Sequence, residues 1–84
     1  MGVVMHGTAV DERLSDMKTG DAATIVSIVA SQASAKRLAD MGFVRGAVVE
    51  MIRPGRPCMV RIGATCVGLG VDHQRSIIVH ATQD

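Results

Sequence analysis

The chain has 84 residues, of which 48% are hydrophobic and 20% charged, and nine basic against eight acidic side chains leave a formal net charge of +1. That length allows one domain around one core, burying roughly 60–65% of the surface its unfolded chain exposes, and the apolar share excludes a disordered chain. Near-neutrality removes the long-range field that draws a protein to nucleic acid or anionic lipid, and no apolar run approaches the roughly 20 residues needed to span a bilayer.

Residues 1–12 are small and apolar, then acidic, and read as a flexible N-terminal tail or at most one added edge strand. No basic stretch precedes an apolar core there, so no secretory signal is expected. Leu14 and Met17 are three apart, which suits one helical turn dropping two side chains onto a core. Thr19-Gly20-Asp21 is a turn signal. Residues 22–29 form the first expected strand; Ile25 and Val26 are adjacent, so either both faces are covered or a bulge bends the strand.

The stretch from Ser31 to Gly46 contains the one convincing helix. Ser31 or Ser34 supplies a hydroxyl to cap the first turn. Ala35, Leu38, Met41 and Gly42 then recur at three- and four-residue spacing and lay an apolar stripe on one side. Gly42 stands where a helix commonly ends at positive φ. Phe43 follows, placed to fold back on the last turn, and Val44-Arg45-Gly46 turns into the next strand.

Residues 47–53 form the second strand, with Val49 and Met51 on one face and Val48, Glu50 and Ile52 on the other. Pro54-Gly55-Arg56-Pro57 is a hairpin connection, because its prolines stop a strand. Residues 58–62 form the third strand, Gly63-Ala64 a turn, and 65–70 the fourth strand. Residues 71–76 read as a short polar turn, and 77–80 close the chain as a fifth strand with Ile77 and Val79 inward. Turns this short demand antiparallel neighbours. The expected fold is therefore mainly β: a small five-stranded antiparallel barrel, closed to remove its edges, with one short helix after the first strand.

Leu14-Ser15-Asp16-Met17-Lys18-Thr19-Gly20 resembles the opening run of the FeoA family, and Arg37-Leu38-Ala39-Asp40-Met41-Gly42-Phe43-Val44-Arg45-Gly46 resembles its most distinctive run. The similarity extends over roughly residues 13–81. It departs from the family pattern at Arg45, where proline is usual, in the short 54–57 hairpin, at Gly68-Leu69-Gly70 and at Gln74, where alanine is frequent. The resemblance implies an SH3-like barrel, so the expected organisation is a tail over residues 1–12 and a single domain over 13–84. It implies a non-enzymatic cytoplasmic adaptor of ferrous iron transport, docking on the cytoplasmic part of a GTP-dependent, FeoB-type permease that carries a G domain. Similar domains end some metal-dependent repressors, so the alternative implied is a transition-metal-binding regulatory or metal-chaperone domain.

The residues themselves support docking more than chemistry. Lys36, Arg37, Phe43, Val44 and Arg45 combine an aromatic, an aliphatic and cationic groups, the mixture enriched at interface centres. In this reading Met41 goes to the core and Phe43 is partly exposed. Outward-parity Val48, Ile52 and Met59 would favour a homo-oligomer or a stable partner. The weak metal candidates are His73, His80 and Cys66, with His6 and Cys58 the remaining soft donors; none has zinc-site spacing. The expected cofactor is none, or a divalent transition metal such as Fe2+ or Zn2+. Pairing of the third and fourth strands across Gly63-Ala64 sets Cys66 opposite Arg61 and Cys58 near Leu69, so the thiols share neither a metal nor a disulfide. No nucleophile motif, carboxylate pair or phosphate cradle is present. One aromatic residue is too few for a base-stacking platform.

Overall fold

The computed structural model describes residues 11–81. The chain runs as strand β1 (Asp11–Arg13), a 3-10 turn (Leu14–Asp16), strand β2 (Ala22–Ile28), helix α1 (Gln32–Asp40), strands β3 (Val48–Arg53), β4 (Cys58–Ile62) and β5 (Thr65–Leu69), helix α2 (Val71–Ser76) and strand β6 (Ile77–Ala81). All the strands pair antiparallel in one sheet of order β1-β6-β2-β3-β4-β5.

Alternation explains which faces turn inward. Val49 and Met51 of β3, Cys58, Val60 and Ile62 of β4, and Ile77 and Val79 of β6 are buried at every second position, as a one-sided sheet requires. They join Leu14, Met17, Ala23, Ile25, Leu38, Phe43 and Leu69 in one cluster. Five strands thus contribute their inner faces to one cluster. The bend in β2 comes from a register shift between Ile25 and Ser27, which settles the Ile25-Val26 ambiguity in favour of a bulge. A second shift lies between Met51 and Arg53.

The sheet corrects the sequence-based expectation in three places. There are six strands, because Asp11–Arg13 pairs with β6 in the register Asp11↔His80, Glu12↔Val79 and Arg13↔Ile78. Asp11 and Glu12, expected in a tail or at most an added edge strand, belong to such an edge strand; the rest of that stretch, residues 1–10 with His6, lies outside the described residues. Residues 71–76 are a helix rather than a turn. Among the described residues the ladder is also linear, with β1 and β5 at its ends. The expected barrel is therefore not closed by continuous pairing; α2, packed against the 3-10 turn and β1, spans from the end of β5 to the opposite edge.

Candidate docking surface

Helix α1 is fixed at both ends by its own sequence. The Ser31 hydroxyl accepts from the Ser34 N–H at 3.2 Å, satisfying one orphan donor of the first turn. At the other end Gly42 takes φ +102°. Its N–H donates to the Ala39 carbonyl at 2.9 Å, and the Phe43 N–H donates to the Leu38 carbonyl at 2.9 Å. These two bonds define a Schellman cap. A left-handed residue reverses the chain, so the side chain after it swings back under the helix.

That reversal inverts the assignment of two neighbours. Phe43 is 0% exposed and belongs to the core, while Met41 is 39% exposed. Phe43, expected as a partly exposed contact residue, is instead a core residue that anchors the exposed residues around it. Of the expected helix stripe, only Leu38 is buried.

The loop after the cap is pinned rather than loose. The Ala47 N–H donates to the Val44 carbonyl at 3.0 Å, and Gly46 has φ +92°, the pattern of a type II turn with Arg45 at its second position. That position requires only an ordinary negative φ, which explains why arginine serves where proline is usual. Gly46 N–H donates to the Ile25 carbonyl at 2.7 Å, and Ile25 N–H to the Ala47 carbonyl at 2.8 Å. The turn is thereby tied to the bulged part of β2.

On this rigid frame Val44 is 44% and Val48 58% exposed. Met41, Val44 and Val48 are thus large apolar side chains held in water along the segment from the helix stop to the start of β3. Lys36, Arg37 and Arg45 beside them are exposed and enter no ion pair among the described residues. Lys36, Arg37, Val44 and Arg45 are exposed, as a contact role would need, and Val48 faces outward as its parity suggested; Met41, expected in the core, is exposed instead. Ile52 and Met59, also expected to face outward, are half-buried.

The metal candidates do not come together. Cys66 is exposed on β5, opposite Arg61, and Cys58 is buried opposite Leu69, as the pairing argument required. His73 lies on α2. His80 lies on β6, its Nδ1 3.1 Å from Asp11 Oδ1 across the β1–β6 ladder, with both side chains well exposed. Nearby, Asp11, Glu12, Arg13, Asp16 and Ile78 line a cleft of about 310 Å³. Among the described residues no three histidine, cysteine or carboxylate side chains converge on a point that would hold a metal ion. The Cys58 thiol is pushed up from its ordinary pKa by burial, against smaller opposing hydrogen bonds with the backbone of Leu69 and Cys58 itself; it stays protonated and inert at neutral pH.

Gln74 is the buried polar residue that sequence reasoning left without a role. Its Nε2 donates to the Leu69 carbonyl at 2.8 Å and to the Gly55 carbonyl at 2.9 Å. One amide group thereby locks α2 to the end of β5 and to the 54–57 hairpin. Among the described residues no helix is long and apolar enough to cross a membrane.

A family model described as the FeoA domain matches residues 12–81. Among solved structures the chain is similar to the FeoA protein of Chlorobium tepidum, with 34% identity over 83% of this chain and 70% of that one, at a TM-score of 0.77. It is similar to FeoA of Stenotrophomonas maltophilia, a prokaryotic SH3 domain protein complexed with zinc, with 29% identity over 81% of this chain and 88% of that one, at a TM-score of 0.73. A manganese-dependent transcriptional repressor shares the fold alone, with 20% identity over 88% of this chain and 43% of that one, at a TM-score of 0.80. Comparison with curated proteins found no match.

Proposed function

The chain belongs to the FeoA family, and on that premise we propose that it is a non-enzymatic cytoplasmic accessory protein of ferrous iron uptake. It docks on the cytoplasmic, G-domain-bearing part of an FeoB-type permease. The contact surface is the end of α1 and the pinned turn after it: Met41, Val44 and Val48 as apolar anchors, with Lys36, Arg37 and Arg45 around them.

One observation carries this reading. Large aliphatic side chains stay in water on a backbone that hydrogen bonds hold rigid, so little ordering is lost when a partner covers them. Calorimetric titration of the purified chain into the permease's soluble cytoplasmic region tests it. Val44→Asp and Arg45→Glu should each weaken binding at least tenfold while leaving the thermal unfolding of the free chain within a few degrees. Unchanged affinity in both variants would reject the surface.

A second reading, a transition-metal-binding regulatory or metal-chaperone domain, is favoured by the zinc held by the Stenotrophomonas relative. The donors offered here are His80 and Asp11, adjacent across the ladder. Titration with Fe2+, Mn2+ and Zn2+ separates the readings: micromolar binding abolished by His80→Ala supports the second, and no heat of binding removes it.

A further inference from the structure

The two edges of the sheet are protected unequally. Among the described residues edge β1 is Asp11, Glu12 and Arg13, and every one of them is charged. Short charged edges turn away an added strand. Edge β5 reads Thr-Cys-Val-Gly-Leu, with no charge and no proline, and Thr65, Cys66 and Gly68 are exposed. Among the described residues it pairs with β4 alone.

The register says which backbone groups are free. Ile62 and Thr65 flank the two-residue turn Gly63-Ala64, so they exchange both hydrogen bonds of a narrow pair. Alternation then aims the N–H and C=O groups of Thr65, Val67 and Leu69 at β4. Those of Cys66 and Gly68 point to the open side, and no turn or loop bond among the described residues uses them.

We propose that β5 is a self-association edge, on which a second copy of this chain pairs β5 against β5, antiparallel, about a two-fold axis at Val67. Cys66 of each copy then exchanges backbone hydrogen bonds with Gly68 of the other, and all the open groups of both strands are satisfied. About that axis a charge at position 66 or 68 would stand close to the same charge on the second copy, which is unfavourable. Strand β5 carries no such charge, and Arg61, opposite Cys66 on β4, is already paired with Glu50 at 2.7 Å within its own chain. On the outer face each Cys66 lies over the second copy's Gly68, which presents no side chain to obstruct it. This edge is separate from the docking surface, and the proposal does not depend on the permease.

Sedimentation equilibrium on the full chain tests it, together with amide exchange. The mass should rise toward twice that of the chain with concentration, and exchange at Cys66 and Gly68 should slow at least tenfold over the same range. Gly68→Pro removes one outward N–H, and a Cβ there has room, its nearest neighbour being Met59 Sδ at 3.5 Å. Cys66→Lys places like charges across the axis. Both variants should remain monomeric at every concentration; should the proline variant fail to fold, the lysine variant decides alone. A wild-type chain that stays monomeric, a dimer that persists in Cys66→Lys, or unchanged exchange at the two amides would overturn the proposal.

Discussion

The backbone N–H of Phe43 donates to the Leu38 carbonyl at 2.9 Å, and the side chains of both residues are fully buried in the same core. That hydrogen bond and the shared burial thus close the helix and orient everything after it. Gly42 makes the reversal between them, and Ile62 lies directly beyond, its nearest atoms 3.8 Å from where a Gly42 Cβ would stand.

Because that space is adequate, Gly42→Ala should destabilise through the backbone alone. A left-handed non-glycine residue costs roughly 1–2 kcal/mol, or a fall in Tm of about 4–8 °C per kcal/mol in a domain this small. Differential scanning calorimetry measures it.

Phe43 and Val44 should separate stability from docking, although they are adjacent. Phe43→Ala should cost about 3–5 kcal/mol, most of what a small domain holds, whereas Phe43→Leu should fold and bind the permease region with unchanged affinity. Val44→Asp should do the reverse, keeping Tm and losing affinity. Urea denaturation alongside calorimetry of binding distinguishes the two.

Arg45→Pro should raise stability by about 0.4–1 kcal/mol, because the second position of a type II turn already has the φ that proline imposes. The Arg45 N–H donates no bond among the described residues that proline would remove. The same variant loses a cation from the docking surface, so its affinity should fall as its Tm rises.

Gln74→Leu keeps the volume of the side chain but withdraws both donated bonds from Leu69 and Gly55. The expected loss is about 1–2 kcal/mol, with faster amide exchange in the 54–57 hairpin than in β6. Equal exchange in both segments would mean that Gln74 does not hold the hairpin.

Cys58 sets an alkaline limit on stability. Its pKa is raised by burial in the folded state, so below the ordinary thiol value of about 8.5 both states keep the proton and its contribution is fully present. As pH rises past that value the unfolded chain releases its proton first, and stability falls until the folded thiol titrates too. Urea midpoints should decline from pH 7.5 to 10, and Cys58→Ala should flatten the decline. In the native protein a thiol reagent should modify Cys66 at once and Cys58 only after denaturation.

What was readable in the sequence follows from how local each signal is. Val49 with Met51, Val60 with Ile62, and Ile77 with Val79 alternate plainly, so their buried face was evident. Ser31 and Gly42 mark the helix ends by their own chemistry. Strand β1 was legible only as an alternative to a tail, because Asp-Glu-Arg has no apolar pattern and is a strand only through its pairing with β6. Helix α2 was hidden because it is six residues long and its buried residue is polar, fixed by carbonyls five and nineteen positions away. Met41 and Phe43 exchanged roles because a helical stripe was extended through the helix stop, where the chain changes direction. The proposed contact stretch was thus drawn around Phe43, a residue that lies beneath the surface.

The most direct measurement of the docking account is an amide chemical-shift titration of the isotopically labelled chain with the soluble cytoplasmic region of the permease. The account requires the shifts to concentrate at Lys36, Arg37, Met41, Val44, Arg45 and Val48, with β1 and α2 unmoved. Shifts centred on β1 and α2, or none at saturating permease region, would contradict it.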